Sequence, residues 1–172
     1  HYLYDPKNND FELILDDKTR KTGAWDKVGK NTLSLYKSYQ LKNQDYYLFQ
    51  CIEQLNRKNL LPATIFILSI NKIIDISKKI RFNFVNKESL SQIKKLWNTH
   101  LQKYTNLYQD TEQFRMVKQL VEKGIGIHHS GLIPVLKEMI EILYSKKLLK
   151  ILIATETFAM GLNMPTKTVI FT

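Results

Sequence analysis

The chain has 172 residues, 44% of them hydrophobic and 24% charged, which is typical of one globular domain with a single core. No apolar stretch approaches the ~20 residues of a membrane span, and the polar start HYLYDPKNND is no signal peptide. Cys51 is the only cysteine, which excludes an intrachain disulfide and a cysteine-based zinc site. We therefore expect an intracellular protein with no membrane partner.

The net charge is +10 and the pI is near 9.6, which favours a polyanionic partner such as nucleic acid. A second reading stays open, because only four of the 26 basic residues are Arg, 12 residues are Asn and four are Ala. Lysine and asparagine enriched together are typical of coding bias, and the basic residues are spread along the chain. Charge alone does not identify the partner.

The first 60 residues predict two strands and a helix. HYLY and FELILDD are short strands joined by the turn DPKNND, and no period is visible from Asp16 to about Asn43. Residues 45–60 place four residues on one helical face: Leu48, Cys51, Ile52 and Leu55. We expect linking strands and a basic connection over 1–44 and the main domain over 45–172.

Strands and helices alternate through the rest of the chain. PATIFILS, GIGI, LLKILIA and TKTVIFT predict strands. Helices are predicted over INKIIDISKKI, over residues 87–104, after Asp110, and over LIPVLKEMIEILYSKK, with Pro134 in its first turn. The apolar faces of the last three helices are Leu90, Ile93, Trp97, Leu101 and Tyr104; Phe114, Val117, Leu120 and Val121; and Leu132, Leu136, Met139, Ile140 and Leu143. This alternation predicts an α/β fold whose parallel sheet is covered by helices on both faces.

Three local features are predicted for these helices. Asp110 with Gln113 resembles an N-cap with its reciprocal partner, and Gly124 has the position of a C′ residue. Lys137 and Glu141 are four residues apart and are expected to form a weak surface pair. All three features involve residues of a single helix or of its ends.

Polar residues follow three of the predicted strands directly. They are Ser69 after TIFIL, His128, His129 and Ser130 after GIGI, and Thr155 to Thr157 after LLKILIA. Right-handed crossovers bring these loops to the carboxyl edge of the sheet, where open parallel sheets bind ligands. Hydroxyls and a helix start at ETFAM, closed by Gly161, suit phosphate oxygens. The pattern predicts that this edge binds a phosphate chain or a nucleotide.

These residues also have structural readings. Ser69, Thr155 and Thr157, each taken singly, are typical of caps and turns. His128 and His129 are neighbours in a strand and point to opposite faces, and no acidic cluster lies nearby, so we expect no metal site. No Gly-x-Ser-x-Gly elbow and no G-x-x-x-x-G-K-[ST] loop is present, which argues against a serine hydrolase and against a self-contained phosphate-binding loop.

The segment GIGIHHSGLIPVLKEMIEILYSKKLLKILIATETFAMGLNMPTKTVIFT closely resembles the second RecA-like domain of DExH-box RNA helicases of the superkiller and exosome-cofactor group, in helicase superfamily two. HHSGL matches that family's H-H-x-G-L segment, ATETFAMGLNMP matches its motif V, and PATIFILS stands at motif IV. HYLY and FELILDD resemble the strands that link the first RecA-like domain to the second. The resemblance is near-continuous over 110–172, recognisable over 1–17 and 45–80, and weak between.

The resemblance implies an ATP-driven motor that unwinds RNA in the 3′-to-5′ direction in exosome-linked RNA processing or decay. The implied partners are single-stranded RNA, the first RecA-like domain of the same chain and exosome-associated proteins, in the cytoplasm or the nucleus. The Walker A and DExH motifs and the arginine finger of motif VI are not in this sequence. We therefore expect a fragment with no catalytic residue of its own, in which ATP and Mg are held mainly by the first RecA-like domain.

The same resemblance implies roles for eight residues. RNA contact is implied for Ser69, His128, His129, Gly131, Thr155 and Thr157. Contact toward the nucleotide, which couples ATP to RNA, is implied for Gly161 and Asn163. Family members usually carry two basic residues after the motif IV serine, whereas this chain has Ile70 and Asn71, with Lys72 beyond. The strength of the phosphate contact at motif IV is therefore an open point of the resemblance.

An alternative function is a non-catalytic RecA-like module that binds only RNA or protein. Within the superfamily, DNA-repair and spliceosomal helicases tend to have TLA where this chain has TFAMG, which favours the exosome-linked RNA group. Walker A upstream and G-R-x-G-R downstream in the full-length sequence would favour the motor. Residues 18–43 and 82–109 match no part of the family that we can place.

Overall fold

The structure is a computed structural model. It describes residues 2–5, 10–13, 44–155 and 165–172. Within the chain, contacts define two compact units, His1–Asn59 and Leu60–Thr172. The expected division into 1–44 and 45–172 stays a prediction.

The first unit contains the two predicted strands and the predicted helix. Strand β1 (Tyr2–Asp5) pairs with β2 (Asp10–Leu13) in antiparallel register. Helix α1 spans Gln44–Arg57. All four residues of its predicted apolar face are buried, and burial raises the pKa of the Cys51 thiol to about 12. The two predicted strands and the predicted helix are therefore confirmed.

The second unit alternates strands with helices. Its elements are β3 (Ala63–Phe66), α2 (Ile70–Lys79), α3 (Lys87–Tyr108), α4 (Glu112–Val121), β4 (Ile125–His128), α5 (Pro134–Ser145), β5 (Ile151–Ala154) and β6 (Thr168–Phe171). These bounds confirm every strand and helix predicted here except the short helical turn at ETFAM, which lies outside the described residues.

The four strands of this unit form one parallel sheet in the order β4-β5-β3-β6. Strand β3 lies in the interior, where Ala63 stands opposite both Ile151 and Thr168. Strand β5 is buried at every residue, as expected for a strand enclosed between neighbours and helices. The parallel sheet packed with helices confirms the α/β class and is consistent with a RecA-like fold.

The predicted apolar faces of α3, α4 and α5 supply much of the core. Every residue of the α4 and α5 faces is buried, whereas Leu90 and Tyr104 at the ends of the α3 face are half-buried. Trp97 of α3 meets Phe114 of α4 edge to face, with 5.2 Å between ring centroids. Among the helices of the described ranges, none combines the length and the apolar character that crossing a membrane requires.

The ends of α4 differ from the prediction. The N-cap is Thr111, whose hydroxyl oxygen accepts the Phe114 N–H at 3.3 Å, rather than Asp110. Asp110 belongs instead to the tight turn that closes α3, where the Thr111 N–H donates to the Tyr108 carbonyl. The helix ends with Glu122 as C-cap, so Gly124 is one position beyond C′, with φ of +79°. Glycine suits this left-handed backbone.

Three hydroxyl groups form a closed triangle near the amino ends of the strands. The Thr64 hydroxyl lies 3.0 Å from that of Tyr144 and 3.0 Å from that of Thr166, and the last two are 2.9 Å apart. Thr64 and Tyr144 are buried. Next to the triangle, the Thr168 hydroxyl donates to the Leu60 carbonyl and the Lys167 N–H to the Pro62 carbonyl. These bonds join the start of β6 to the start of β3.

Candidate functional site

The predicted alignment of three strand ends is present. Phe66, Ala154 and His128 stand at the same level in β3, β5 and β4. Two hydrogen bonds continue the ladder, from the Ile67 N–H to the Ala154 carbonyl at 2.9 Å and from the Thr155 N–H to the His128 carbonyl at 3.1 Å. The loops that carry Ser69, His129 and Thr155 therefore leave the sheet side by side.

Ser69 is the N-cap of α2. It is exposed, and its hydroxyl oxygen accepts the Lys72 N–H at 3.3 Å. The capping role that a lone serine usually has is thus observed. The hydroxyl also lies at the surface of the carboxyl edge, where a ligand can reach it.

His128 lies at the end of β4 and pairs with α5. Its Nε2 is 2.8 Å from Oε1 of Glu141, and the two side chains are 11% and 34% exposed. The predicted pairing of Glu141 with Lys137 is therefore wrong. The sequence rule considers only neighbours on one helix, whereas the adjacent strand brings an imidazole to the same carboxylate.

His129 is enclosed in the protein. Its residue is 1% exposed, and neither ring nitrogen has a hydrogen-bond partner among the residues that the structure describes. Burial lowers the pKa of the His129 imidazole below its usual value, and the nearby His128 and Lys137 lower it further. The ring is therefore held in its neutral form around neutral pH.

Gly131 is exposed one turn further along. The Leu132 N–H donates to the His129 carbonyl at 3.1 Å and closes a turn around it. A methyl group added at Gly131 would meet only the His129 ring, at the ordinary contact distance of 3.4 Å. Neither packing nor a positive φ requires glycine here, so its small size matters mainly on the solvent side.

Gln113 connects this loop to α4. Its side-chain N–H donates to the Gly131 carbonyl at 2.9 Å, and its oxygen accepts the Ile133 N–H at 3.1 Å. It does not act as the reciprocal partner of Asp110 that the sequence suggested. An open groove of about 580 Å³ lies between the two elements, lined by Thr111, Glu112, Gln113, Ser130, Gly131, Leu132, Ile133, Pro134 and Lys137.

Sequence reasoning missed that Gln113 and Lys137 line this groove and that Gln113 bonds to the loop beside it. The amide at position 113 stood out in the sequence, but as a capping residue of its own helix. Its true partners are 18 and 20 residues away and carry no side-chain signal, because both are backbone groups. These two partners become visible only in the three-dimensional structure, where Gln113 of α4 bonds to the loop before α5.

The remaining predicted site residues divide into two groups. Thr155 is buried directly after β5 and lies between the exits of β3 and β4. Thr157, Gly161 and Asn163 lie outside the described residues. Within the described part of the chain, no group of three or more His, Cys, Asp or Glu side chains forms a metal-binding cluster.

Comparison with known proteins gives consistent relatives, although no family model matches. The chain is 40% identical over 123 residues to the antiviral helicase SKI2 of Saccharomyces cerevisiae, an alignment covering 71% of this chain and 10% of that protein. It is 37% identical over 126 residues to the exosome RNA helicase MTR4 of Mus musculus, with 73% and 12% covered. The DExH-box ATP-dependent RNA helicase DExH10 of Arabidopsis thaliana is 33% identical over 129 residues, with 74% and 13% covered. The chain thus spans about a tenth of the length of these curated relatives.

Proposed function

Because this chain belongs to the superkiller (Ski2-like) family of DExH-box RNA helicases, we propose that it forms the second RecA-like lobe of an ATP-dependent RNA helicase. The lobe contacts the phosphates of single-stranded RNA at its carboxyl edge and contributes half of the ATP site. The full-length protein unwinds RNA in the 3′-to-5′ direction in exosome-linked processing or decay, inside the cell, and works with exosome-associated proteins.

One observation carries the RNA-binding part of the proposal. The exits of β4, β5 and β3 are consecutive in the sheet, the three strands end at the same level, and polar residues follow each of them within three positions. Neighbouring strands lie about 4.8 Å apart, so the three loops span about 10 Å. Hydroxyls and backbone groups spread over that distance suit a sugar–phosphate backbone, which can be followed without reading its bases.

The predicted contact residues have unequal support. Ser69 and Gly131 are exposed, so direct contact with RNA is open to both. His128, His129 and Thr155 are buried, and we propose that they contribute chiefly by shaping the loops beside the RNA. Thr157 remains a proposed contact on the resemblance alone.

The nucleotide part of the proposal rests on the family. Gly161 and Asn163 are proposed to reach toward ATP, and both lie outside the described residues. ATP with Mg is proposed to be held mainly by the first RecA-like domain of the full-length protein. The bound nucleotide supplies the energy for movement along RNA, and no step of that chemistry is assigned to residues described here.

Ser69 allows a test that separates capping from RNA contact. Ser69→Asp keeps a good N-cap, because Asp and Ser cap helices about equally well. It also places a carboxylate where a phosphate is expected, which should weaken RNA binding about tenfold at low salt. The measurement is fluorescence anisotropy of labelled oligouridylate with the full-length protein, at two salt concentrations.

Asn86→Asp is the matched control. Asn86 caps α3 by accepting the Ser89 N–H at 2.8 Å, and neighbouring Val85 lies against Gly124, at the amino end of β4. The charge change is the same as at Ser69, but the position is away from the carboxyl edge. RNA affinity that is unchanged by Ser69→Asp, or equally reduced by both variants, contradicts phosphate binding at this edge.

A further inference from the structure

Gln113 makes two hydrogen bonds to a loop that lies outside its own helix. The side-chain N–H group donates to the Gly131 carbonyl at 2.9 Å, and the side-chain oxygen accepts the Ile133 N–H at 3.1 Å. Because one partner is an acceptor and the other a donor, only this orientation of the amide satisfies both. The amide therefore pairs with the loop as a peptide group of a neighbouring strand would.

Helix α5 needs such a partner because its own sequence provides none. Its N-cap is Ile133, which has no side-chain oxygen, and its first residue is Pro134, which has no N–H. In a capping box, a Glu or Gln three residues after the N-cap returns to the N-cap N–H. That position in α5 is Leu136, which is apolar and fully buried. Gln113 thus performs this part of the capping box from another helix.

The same two bonds hold the loop between β4 and α5. The loop is closed internally by the Leu132 N–H and the His129 carbonyl, at 3.1 Å. The exposed Gly131 lies within that turn, and Gln113 adds a second attachment at the Gly131 carbonyl. Gln113 also forms one wall of the groove that contains Gly131 and Lys137. A residue on α4 therefore determines where the loop stands at the carboxyl edge.

We propose that Gln113 is a positioning residue that holds the loop His129–Ile133 in the conformation that contacts the RNA backbone. The inference rests on the proposed function of this edge. Gln113 itself need not contact RNA. It acts by fixing the Gly131 carbonyl and the start of α5.

The test uses the full-length protein with two substitutions at this site. Gln113→Met keeps the length of the side chain and removes both hydrogen bonds. Gln113→Glu keeps the acceptor for the Ile133 N–H but replaces the donor to Gly131 with a carboxylate oxygen. Gln119→Met is the control, because Gln119 is exposed on the same helix. The readouts are RNA affinity at 25 °C, the thermal midpoint, and hydrogen exchange of the Ile133 amide.

Gln113→Met should lower RNA affinity about fivefold to tenfold, as expected for losing hydrogen bonds that hold a contact surface. The Ile133 amide should exchange faster in Gln113→Met and stay protected in Gln113→Glu. Gln119→Met should match the wild type in all three readouts. A thermal midpoint still well above 25 °C in Gln113→Met shows that the affinity loss is not due to unfolding.

The outcomes separate this inference from the proposed function. If the wild type binds RNA and Gln113→Met binds equally well, the positioning role is overturned while the proposed function stands. Unchanged exchange of the Ile133 amide in Gln113→Met also overturns it. If the wild-type protein does not bind RNA at all, the proposed function itself is overturned.

Discussion

The two edges of the parallel sheet use polar side chains in different ways. At the amino edge, the hydroxyls of Thr64, Tyr144 and Thr166 bond to one another in a closed triangle. At the carboxyl edge, the Ser69 hydroxyl is exposed and bonds to the local backbone, and the His129 ring has no hydrogen-bond partner among the described residues. A polar residue beside a core strand therefore indicates a ligand site where some of its hydrogen-bonding capacity is left over, as with the Ser69 hydroxyl, which accepts one bond and can still donate another.

Gly124 at the amino edge should lose more stability on substitution by Ala than Gly131 at the carboxyl edge. Gly124→Ala forces a side chain onto a φ of +79° and brings its Cβ to 3.0 Å from Val85 and 3.3 Å from Phe84. The backbone penalty and the crowding together should destabilise the region by about 2 kcal/mol. Hydrogen exchange of the β4 amides in the full-length protein measures this loss. Unchanged exchange would mean that the amino edge is less rigid than its contacts indicate.

Tyr144→Phe should have the next largest effect on stability. It removes one hydroxyl from the triangle and leaves Thr64 and Thr166 bonded to each other at 3.0 Å. Because neither remaining group loses its last partner, we expect a loss of about 1 kcal/mol. Exchange of the β3 and β6 amides gives the size of the effect, with RNA affinity as the second readout. If RNA affinity falls by more than the loss of stability explains, the distinction between the two edges is wrong.

Gly131→Ala should have the smallest effect on stability. Its Cβ meets only the His129 ring, at 3.4 and 3.6 Å, and no positive φ is involved. We expect a change within about 0.5 kcal/mol, measured by exchange of the loop amides. RNA affinity should nevertheless fall severalfold, since Gly131 is exposed at the edge where the RNA is proposed to lie. If Gly131→Ala leaves RNA affinity intact, the loop is not in contact with RNA.

Most of the fold follows from the sequence because its signals are periodic and local. Apolar runs and three- and four-residue spacing predict the strands and helices, and the alternation of the two predicts the parallel sheet. The ends of α4 are less predictable, since Asp110 and Thr111 are both good caps and the turn that closes α3 decides between them.

Contacts between elements account for the errors and omissions. The i, i+4 rule assigns Glu141 to Lys137, but His128 on β4 is the actual partner. The hydroxyl triangle joins residues that are 22 to 102 positions apart, and no spacing in the sequence predicts it. For the candidate site, the sequence predicts the aligned strand ends that the structure shows, and ligand binding at this edge stays a prediction. The Gln113 amide that holds one loop is visible only in three dimensions.

The strand order also bears on how this unit is made during synthesis. Strand β3 is the first strand of the sheet to be translated, yet both strands that flank it, β5 and β6, lie beyond residue 150. Among the described strands, β3 therefore has no hydrogen-bonded neighbour until the residues beyond 150 have left the ribosome. Such long-range pairing slows folding and leaves an apolar segment exposed in the meantime. Ile65 and its neighbours therefore form an apolar segment that stays unpaired during much of the synthesis of this unit.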